Sequence, residues 1–231
     1  YAVYVNSPFP EKNRAILVSS DLSSRYTRRN RREFEKAADY IEEIASAKMG
    51  NYMVFFPSYQ YMEAVREILQ ERNSKLFLLV QESRMTEADR EAFLAEFSVK
   101  REESLAALCV MGGIFSEGID LQNEAVIGVI IVGTGLPQTG SRQEILKSHY
   151  EKEGKNGFLF AYLYPGMNKV LQAAGRLIRT SEDYGVIALL DERFLQGSYR
   201  SQFPPDWTDM NIVQLSNCTA LLEQFWADIE Q

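Results

Sequence analysis

The sequence predicts an α/β fold, in which helices cover both faces of an open parallel sheet. Short apolar runs recur along the 231 residues. Because these runs are continuous rather than alternating, they are typical of strands buried on both faces. Amphipathic segments separate most of the runs, as in successive β–α–β units. We expect one domain over residues 1–231, since this length can bury a large core and no repeat, low-complexity tract or linker marks a second domain.

Each element follows from its local pattern. The predicted strands are Ala15–Ser19, Met53–Phe56, Leu76–Val80, Leu105–Met111, Val126–Val132, Phe158–Leu163 and Val186–Leu190. The predicted helices are Arg31–Ala47, Tyr59–Arg72, Glu87–Phe97, Ser141–Glu153, Met167–Arg179 and, after the loop Phe203–Trp207, Leu215–Ile229. Thr86 and Asp89 are spaced as in a capping box, which predicts that the third helix begins there.

Composition narrows the possible functions. The net charge of −7 gives no global attraction to nucleic acid, so any such binding must use a local patch. Cys109 and Cys218 are far apart and form no CxxC pair, which predicts no metal site and favours a reducing cytoplasm. No apolar run approaches the ~18 residues that span a bilayer, so no membrane partner is expected. The chain begins with Tyr1 rather than Met, and we expect it to be a piece of a longer protein.

The segment Gln172–Arg193, QAAGRLIRTSEDYGVIALLDER, is the most informative part of the chain. Spacings of four and three residues place Gln172, Arg176 and Arg179 on one face of a predicted helix. Gly175 beside this face costs about 1 kcal/mol of helix propensity, which suggests close approach by a ligand or another backbone. Two guanidinium groups and an amide suit a target with several negative oxygens, such as a triphosphate. The alternative is a solvated face with two surface arginines.

Ligands of open α/β sheets bind beyond the carboxyl ends of the strands, and we expect three such ends to carry chemistry. The Gln172–Arg179 helix is expected to be one of them. Another is Ser58 and Tyr59, which open a helix directly after a buried strand. Ser58 at a helix N-terminus can seat a phosphate, or it can act only as an N-cap, and the two roles are compatible. Asp191 and Arg193 are expected to have a structural role at the end of the last strand.

The remaining strand end is a glycine-rich turn. Gly112 and Gly113 allow a ligand to approach the backbone, because neither carries a Cβ atom. Glu117 and Asp120 bring two carboxylates into a tight turn around Gly118. These carboxylates could position the arginines or bind ribose hydroxyls, and the alternative is an ordinary turn.

A basic cluster follows the first strand. Its members are Arg25, Arg28, Arg29, Arg31 and Arg32. Five arginines in eight residues beside Tyr26 suit a nucleic-acid backbone, and the alternative is a solvated helix start. His149 is the only histidine and has no nucleophile in its pattern, so a catalytic triad is not predicted.

Taken together, these residues resemble the XPD/DinG branch of the superfamily 2 helicases. Gln172–Phe194 resembles motif VI of that branch, in the form QxxGRxIRxxxDxG. Other segments that resemble the branch are Val54–Tyr59 (motif IV), Gly112–Leu121 (motif V), Asn6–Pro10, Ser19–Tyr26 and Gly135–Pro137. Ser116 departs from the aromatic residue that the branch often carries before the motif V glutamate. The resemblance implies a RecA-like fold and identifies the chain as similar to a second, C-terminal motor domain.

The resemblance also implies roles for residues around ATP and Mg²⁺. Both would be held mainly by a first RecA-like domain of the same protein, because this chain has no GxxxxGK[ST] phosphate loop and no DEAH-like box. Arg176 and Arg179 would meet the γ-phosphate, one of them as arginine finger, and Gln172 would position it. The residues that would contact the nucleotide from motif V are Glu117, Gly118 and Asp120.

By the same resemblance, single-stranded DNA is the expected partner. Ser58, Tyr59 and the Gly112–Gly113 turn would grip its phosphates, with Arg25 and Arg28 beside them. Translocation would run from 5′ to 3′, and the chain alone would be inactive. A different class remains open, a RecA-like module that binds nucleic acid or protein without being a motor. A third alternative is half of a nucleotide-sugar transferase, which gives no account of the arginine spacing.

Overall fold

The computed structural model describes residues 10–115, 126–177 and 182–230. Seven parallel strands form one sheet in the order β3-β4-β2-β5-β6-β1-β7. The strands are β1 Arg14–Ser19, β2 Asn51–Phe56, β3 Phe77–Val80, β4 Leu105–Val110, β5 Gly128–Val132, β6 Gly185–Leu190 and β7 Met210–Val213. Because all strands are parallel, their carboxyl ends lie at one edge of the sheet and their amino ends at the other. The predicted fold class is confirmed.

Helices connect the strands across both faces of the sheet. They are α1 Arg31–Ala47, α2 Tyr59–Glu71, α3 Glu87–Ala95, α4 Ser141–Lys152, α5 Tyr164–Ala174, α6 Gly197–Arg200 and α7 Leu215–Ile229. None of the helices in the described ranges is both long and apolar enough to cross a membrane.

Two hydrophobic layers hold the sheet. One joins alternate strand residues such as Val54 and Phe56 to α1, α2 and α7, and the other joins Met53 and Phe55 to α3, α5 and α6. All four of these side chains are completely buried. Burial of a large apolar side chain contributes about 1.5–3 kcal/mol, so continuous apolar strands between two helical layers favour this arrangement. Cys109 lies in the second layer, and burial raises the pKa of its thiol.

Local capping fixes where the helices begin. Asn30 and Ser58 accept backbone hydrogen bonds at the starts of α1 and α2. Thr86 Oγ1 accepts from the Asp89 amide at 3.2 Å, and the Asp89 carboxylate accepts from the Thr86 amide at 2.8 Å. This is the predicted capping box. The predicted bounds of α1 and α7 agree with the structure at both ends.

One strand prediction was wrong, and one strand was not predicted. Leu159–Leu163 is a π-helical turn that leads directly into α5, rather than a strand. The Phe160 ring of this turn stacks on Tyr150 of α4, with 4.3 Å between the ring centroids. A short apolar run has no period that distinguishes a strand from a buried helix. Sequence analysis also missed β7, whose Asn211 and Ile212 are exposed because β7 lies at the edge of the sheet.

Candidate nucleic-acid and nucleotide interfaces

The turn after β2 presents the start of α2 at the carboxyl edge. Ser58 Oγ accepts a hydrogen bond from the Tyr61 amide at 3.2 Å. Ser58 is therefore an N-cap, which is one of the two roles predicted for it. The first amides of α2 carry a partial positive charge, which suits an anion. A phosphate contact at Ser58 stays a prediction.

Gln81, at the end of β3, joins the turns after β2 and β4. Its side chain is almost fully buried. The Nε2 group donates to Tyr59 Oη at 2.9 Å, and Oε1 accepts from the Val110 amide at 2.9 Å. Tyr59 Oη in turn donates to the Glu82 carbonyl at 3.2 Å. These bonds fix the Tyr59 ring beside the glycine-rich turn, and sequence analysis did not anticipate the part that Gln81 plays.

The glycine-rich turn after β4 needs both of its glycines. Gly112 has a φ of +71°, in the left-handed region that favours glycine. A Cβ atom on Gly113 would lie 2.9 Å from the Val110 carbonyl oxygen and 2.8 Å from Gln81 Nε2. A Cβ atom on Gly112 would lie 3.0 Å from Cε of Lys169, so this lysine of α5 reaches the same turn. The turn therefore lies open at the carboxyl edge, with a cation beside it.

These turns border a groove of about 420 Å³, which we call the strand-end groove. Its lining residues are Tyr59, Gln81, Glu82, Ser83, Arg84, Met85, Thr86, Arg90, Gly113 and Ile114. Arg84 is exposed and has no carboxylate within 4.0 Å in the described parts of the chain. Sequence analysis missed both Arg84 and Arg90, although Arg84 follows the carboxyl end of β3 and the same rule about strand ends could have found it.

Carboxylates already pair with two of the arginines that were predicted to bind nucleic acid. Arg25 Nε lies 3.8 Å from Glu192 Oε1. Arg28 lies 2.7 Å from Glu33 and 3.5 Å from Glu192. Because these ion pairs already neutralise part of their charge, Arg25 and Arg28 are weaker candidates for phosphate binding than their position suggested. Their contact with nucleic acid stays a prediction.

The other members of the basic cluster differ in whether a carboxylate neutralises their charge. Arg31 lies 2.9 Å from Glu35 and 2.5 Å from Glu71. Across the described ranges, neither Arg29 nor Arg32 has a carboxylate within 4.0 Å. The unneutralised charge of the cluster therefore resides on Arg29 and Arg32, which the sequence pattern alone did not distinguish from their neighbours.

A buried ion pair fixes the end of β6, as predicted for Asp191 and Arg193. Asp191 is completely buried and accepts from Arg193 Nε and Nη2, both at 2.8 Å. It also accepts from the amide and hydroxyl of Ser24, at 2.8 and 2.7 Å. Burial alone would raise the pKa of Asp191, but the Arg193 charge and these hydrogen bonds outweigh it and hold the pKa below its ordinary value. The network ties the β1 turn to the β6 turn.

Replacement of Gly133 by alanine is expected to lower the free energy of unfolding by about 1–3 kcal/mol or more, because a strained backbone conformation costs about that much. Gly133 has a φ of +83°, and a Cβ atom there would lie 2.4 Å from Ser24 Oγ. Urea unfolding measures the loss. Gly197→Ala is the control, because Gly197 lies in α6 and a Cβ atom there meets nothing within 4 Å, and it is expected to leave the unfolding free energy almost unchanged. Equal effects of the two substitutions would contradict the prediction.

The predicted helix Met167–Arg179 is shorter at its C-terminal end. Helix α5 ends at Ala174, with Gly175 as C-cap, and Arg176 lies in the following turn. Among the described residues, only the Leu171 and Gln172 carbonyl oxygens lie within 4 Å of a Cβ atom built on Gly175, and this glycine is the C-cap of α5. Gln172 is exposed and Arg176 is partly buried. The expectation that both project from one continuous helical face was therefore wrong for Arg176.

The turn after α5 that carries Arg176, which we call the arginine turn, lies at the amino edge of the sheet rather than at the expected carboxyl edge. A Cβ atom on Gly166, near the start of α5, would lie 2.8 Å from the Thr134 carbonyl just beyond β5. Leu177 instead packs on Gly185, the first residue of β6. A helix that connects parallel strands runs antiparallel to them, so α5 carries Arg176 to the amino edge. The strand-end groove and Arg176 therefore occupy opposite edges of the sheet.

Four predicted nucleotide contacts lie outside the described residues. They are Glu117, Gly118, Asp120 and Arg179. Their roles stay predictions. Within the described ranges, His149 lies in α4 with Nε2 at 3.2 Å from Glu153 Oε1.

Comparison with known proteins identifies the family. A model described as "Helicase C-terminal domain" matches residues 41–210. A probable ATP-dependent helicase of Methanocaldococcus jannaschii is 28% identical over 82% of this chain and 30% of its own length. The ATP-dependent DNA helicase DinG of Photobacterium profundum is 29% identical over 84% of the chain and 27% of its own length. The chain spans less than a third of each of these relatives.

Solved structures agree on the fold. A structure titled as XPD in the apo state has a TM-score of 0.72 at 24% identity, over 87% of this chain and 40% of that one. The S. tokodaii Xpd4 structure has a TM-score of 0.65 at 16% identity, over 93% of this chain and 40% of that one. The fold is therefore RecA-like, as the resemblance implied. The chain belongs to the helicase C-terminal domain family, of the XPD/DinG type of superfamily 2.

Proposed function

We propose that this chain is the second motor domain of an ATP-dependent DNA helicase. The observation that carries the proposal is the division of its two functional surfaces between opposite edges of one sheet. The strand-end groove lies at the carboxyl edge, and the arginine turn that follows α5 lies at the amino edge. A motor domain needs both surfaces, because ATP binding at one must change the grip on DNA at the other.

The amino edge would form one wall of the ATP site. The guanidinium groups of Arg176 and Arg179 suit the γ-phosphate, because they offer planar forks of donors to its oxygens. When ATP is hydrolysed, charge builds up on the transferring phosphoryl group, and an arginine stabilises that charge. Gln172, exposed one turn earlier, would position the phosphate, and Glu117, Gly118 and Asp120 would contact the nucleotide from motif V. A first RecA-like domain would hold most of the ATP and its Mg²⁺.

The carboxyl edge would bind single-stranded DNA. Ser58 and the first amides of α2 offer donors for a phosphate, and the Gly112–Gly113 turn gives the backbone of the strand close access. Arg84 adds positive charge to the groove that Tyr59 lines, and Lys169 adds positive charge beside the Gly112–Gly113 turn. Closure of the two motor domains on ATP would then shift this grip along the strand, which we propose moves from 5′ to 3′.

The strand-end groove provides the test of the DNA surface. In the full-length protein, Arg84→Ala should weaken single-stranded DNA binding about tenfold and reduce the dependence of affinity on salt by about one unit, as loss of one phosphate contact predicts. Fluorescence anisotropy of a labelled oligonucleotide measures both. Arg72→Ala is the matched control, since Arg72 pairs with Asp39 and Glu42 away from the groove and should leave binding unchanged. A salt dependence of Arg84→Ala equal to that of the wild type would remove Arg84 from the interface.

A non-motor module is the second candidate function. Its support is the absence of a phosphate loop from the 231 residues. The two candidates differ in the full-length protein, because a motor should hydrolyse ATP faster when single-stranded DNA is present. A protein that binds DNA with no ATPase activity in its presence or absence would favour the module, and the 231-residue chain alone should be inactive in either case.

A further inference from the structure

We propose that a second groove at the carboxyl edge stacks an unpaired base of the DNA strand on Tyr26. We call it the Tyr26 groove; it has a volume of about 350 Å³. Its lining residues are Tyr26, Arg29, Phe34, Gln60, Tyr61 and Ala64. This inference rests on the proposed function, since it adds a base contact to the DNA surface described above.

Tyr26 presents an aromatic face to solvent on a fixed backbone. Its side chain is 82% exposed, the largest exposure of the bulky apolar residues in the described ranges. The residue begins a 3₁₀ turn that is closed by hydrogen bonds from the Arg28 amide to Arg25 at 2.9 Å and from the Arg29 amide to Tyr26 at 3.3 Å. At this exposure most of the ring surface is free to stack, and a nucleic-acid base is a flat partner of matching shape.

Arg29 supplies charge to the same groove. Its Cζ atom lies 5.6 Å from the Tyr26 ring centroid and 5.5 Å from that of Tyr61, so the guanidinium contacts both aromatic rings. The Nε group donates to the Ser24 carbonyl at 3.2 Å, which fixes the side chain. Because no carboxylate lies within 4.0 Å of Arg29 in the part of the chain that the structure describes, its charge is available to a phosphate.

The inner wall of the groove is aromatic. Tyr61 is only 1% exposed, and its ring packs edge-on against Phe34 with centroids 4.8 Å apart. Because the Tyr61 hydroxyl is buried, a base in the groove would meet the rings of Tyr61 and Phe34 rather than a polar atom.

The position of the groove favours single-stranded DNA over a duplex. Gln60 and Tyr61 of the Tyr26 groove lie in the same first turn of α2 as Tyr59 of the strand-end groove. A strand that crosses the N-terminus of α2 would therefore pass from one groove to the other. In a duplex the bases are already stacked on each other, so only an unpaired base can lie on the Tyr26 ring.

The experiment measures binding of a labelled oligodeoxythymidine of about 16 nucleotides to the full-length protein, a length within the site sizes of single-strand binding folds. Tyr26→Ala should weaken binding about 10-fold, within the range that loss of one base–aromatic stack predicts, and Tyr26→Phe should retain wild-type affinity. A single abasic position is then moved along the oligonucleotide. At one position it should weaken DNA binding by the wild-type protein but leave DNA binding by Tyr26→Ala unchanged. Met49→Ala removes an exposed apolar side chain between α1 and β2, at the amino edge, and should change nothing.

Affinity of Tyr26→Ala equal to that of the wild type would overturn the inference, and so would equal losses from the abasic position in both proteins. The latter outcome would place Tyr26 in a structural or protein-binding role. DNA-stimulated ATP hydrolysis is measured in the same samples. If hydrolysis is stimulated but Tyr26 has no effect, the proposed function stands and only the base contact fails; if DNA neither binds nor stimulates hydrolysis in the wild type, both fail.

Discussion

Replacing Arg179 by alanine in the full-length protein is expected to lower kcat for DNA-stimulated ATP hydrolysis by about 10³- to 10⁵-fold. The physical reason is loss of a guanidinium group that stabilises negative charge as the γ-phosphoryl group is transferred. The expectation rests on the resemblance to motif VI, in which Arg179 follows Arg176 after three residues. Steady-state phosphate release at saturating ATP and DNA measures the effect.

Two controls make this result specific. Arg200→Ala removes an exposed arginine of α6 and should leave kcat unchanged. Single-stranded DNA binding by Arg179→Ala should equal that of the wild type, because Arg176, three residues earlier in the chain, lies at the amino edge rather than at the carboxyl edge. Hydrolysis by Arg179→Ala at the wild-type rate would show that the finger assignment is wrong.

The second large effect concerns stability. Arg193→Met is expected to lower the free energy of unfolding by about 3–5 kcal/mol, because it leaves the buried carboxylate of Asp191 without its charged partner. Arg193 is itself well buried, with 13% of its side chain exposed. Urea unfolding followed by circular dichroism measures the loss. Arg31→Met breaks exposed ion pairs of α1 and should leave the free energy of unfolding almost unchanged, because solvent screens exposed pairs.

The same ion pair predicts a pH dependence. Because the folded-state pKa of Asp191 is lowered, its contribution is fully present above the unfolded-state pKa of about 3.9 and is lost as pH falls through the folded-state value. The difference in unfolding free energy between the wild type and Asp191→Asn should therefore be constant near neutrality and shrink as pH falls below about 4. A difference that is independent of pH throughout the acid range would contradict the assigned role of Asp191.

Much of the fold could be predicted because its signals are local. Continuous apolar runs such as Val186–Leu190 identified central strands, and the Thr86–Asp89 spacing located a helix start within one turn. The run Phe158–Leu163 misled because its apolar residues serve a helix between α4 and the sheet. Strand β7 was missed because half of it faces solvent and its sequence carries little hydrophobic signal. Both errors arise where tertiary contacts, rather than local pattern, decide the structure.

The candidate site was harder to predict because it depends on topology and on partners distant in sequence. The motif around Arg176 predicted phosphate binding, which stays a prediction, but it did not predict the edge of the sheet, which follows from the antiparallel course of α5. Arg25 and Arg28 looked equivalent to Arg29, yet Glu192, more than 160 residues away, pairs with the first two. Gln81 gave no signal at all, since a single glutamine becomes informative only when two turns meet across it.

The central claim is that opposite edges of one sheet serve ATP and DNA, and separation of the two functions tests it most directly. Hydrolysis and DNA affinity should be measured together in full-length Arg179→Ala and Arg84→Ala. We predict that Arg179→Ala loses hydrolysis at unchanged DNA affinity, whereas Arg84→Ala loses affinity but reaches the wild-type kcat once DNA saturates. If instead Arg179→Ala weakens DNA binding as strongly as Arg84→Ala does, with both hydrolysing ATP at the wild-type kcat, the division between the two edges is contradicted.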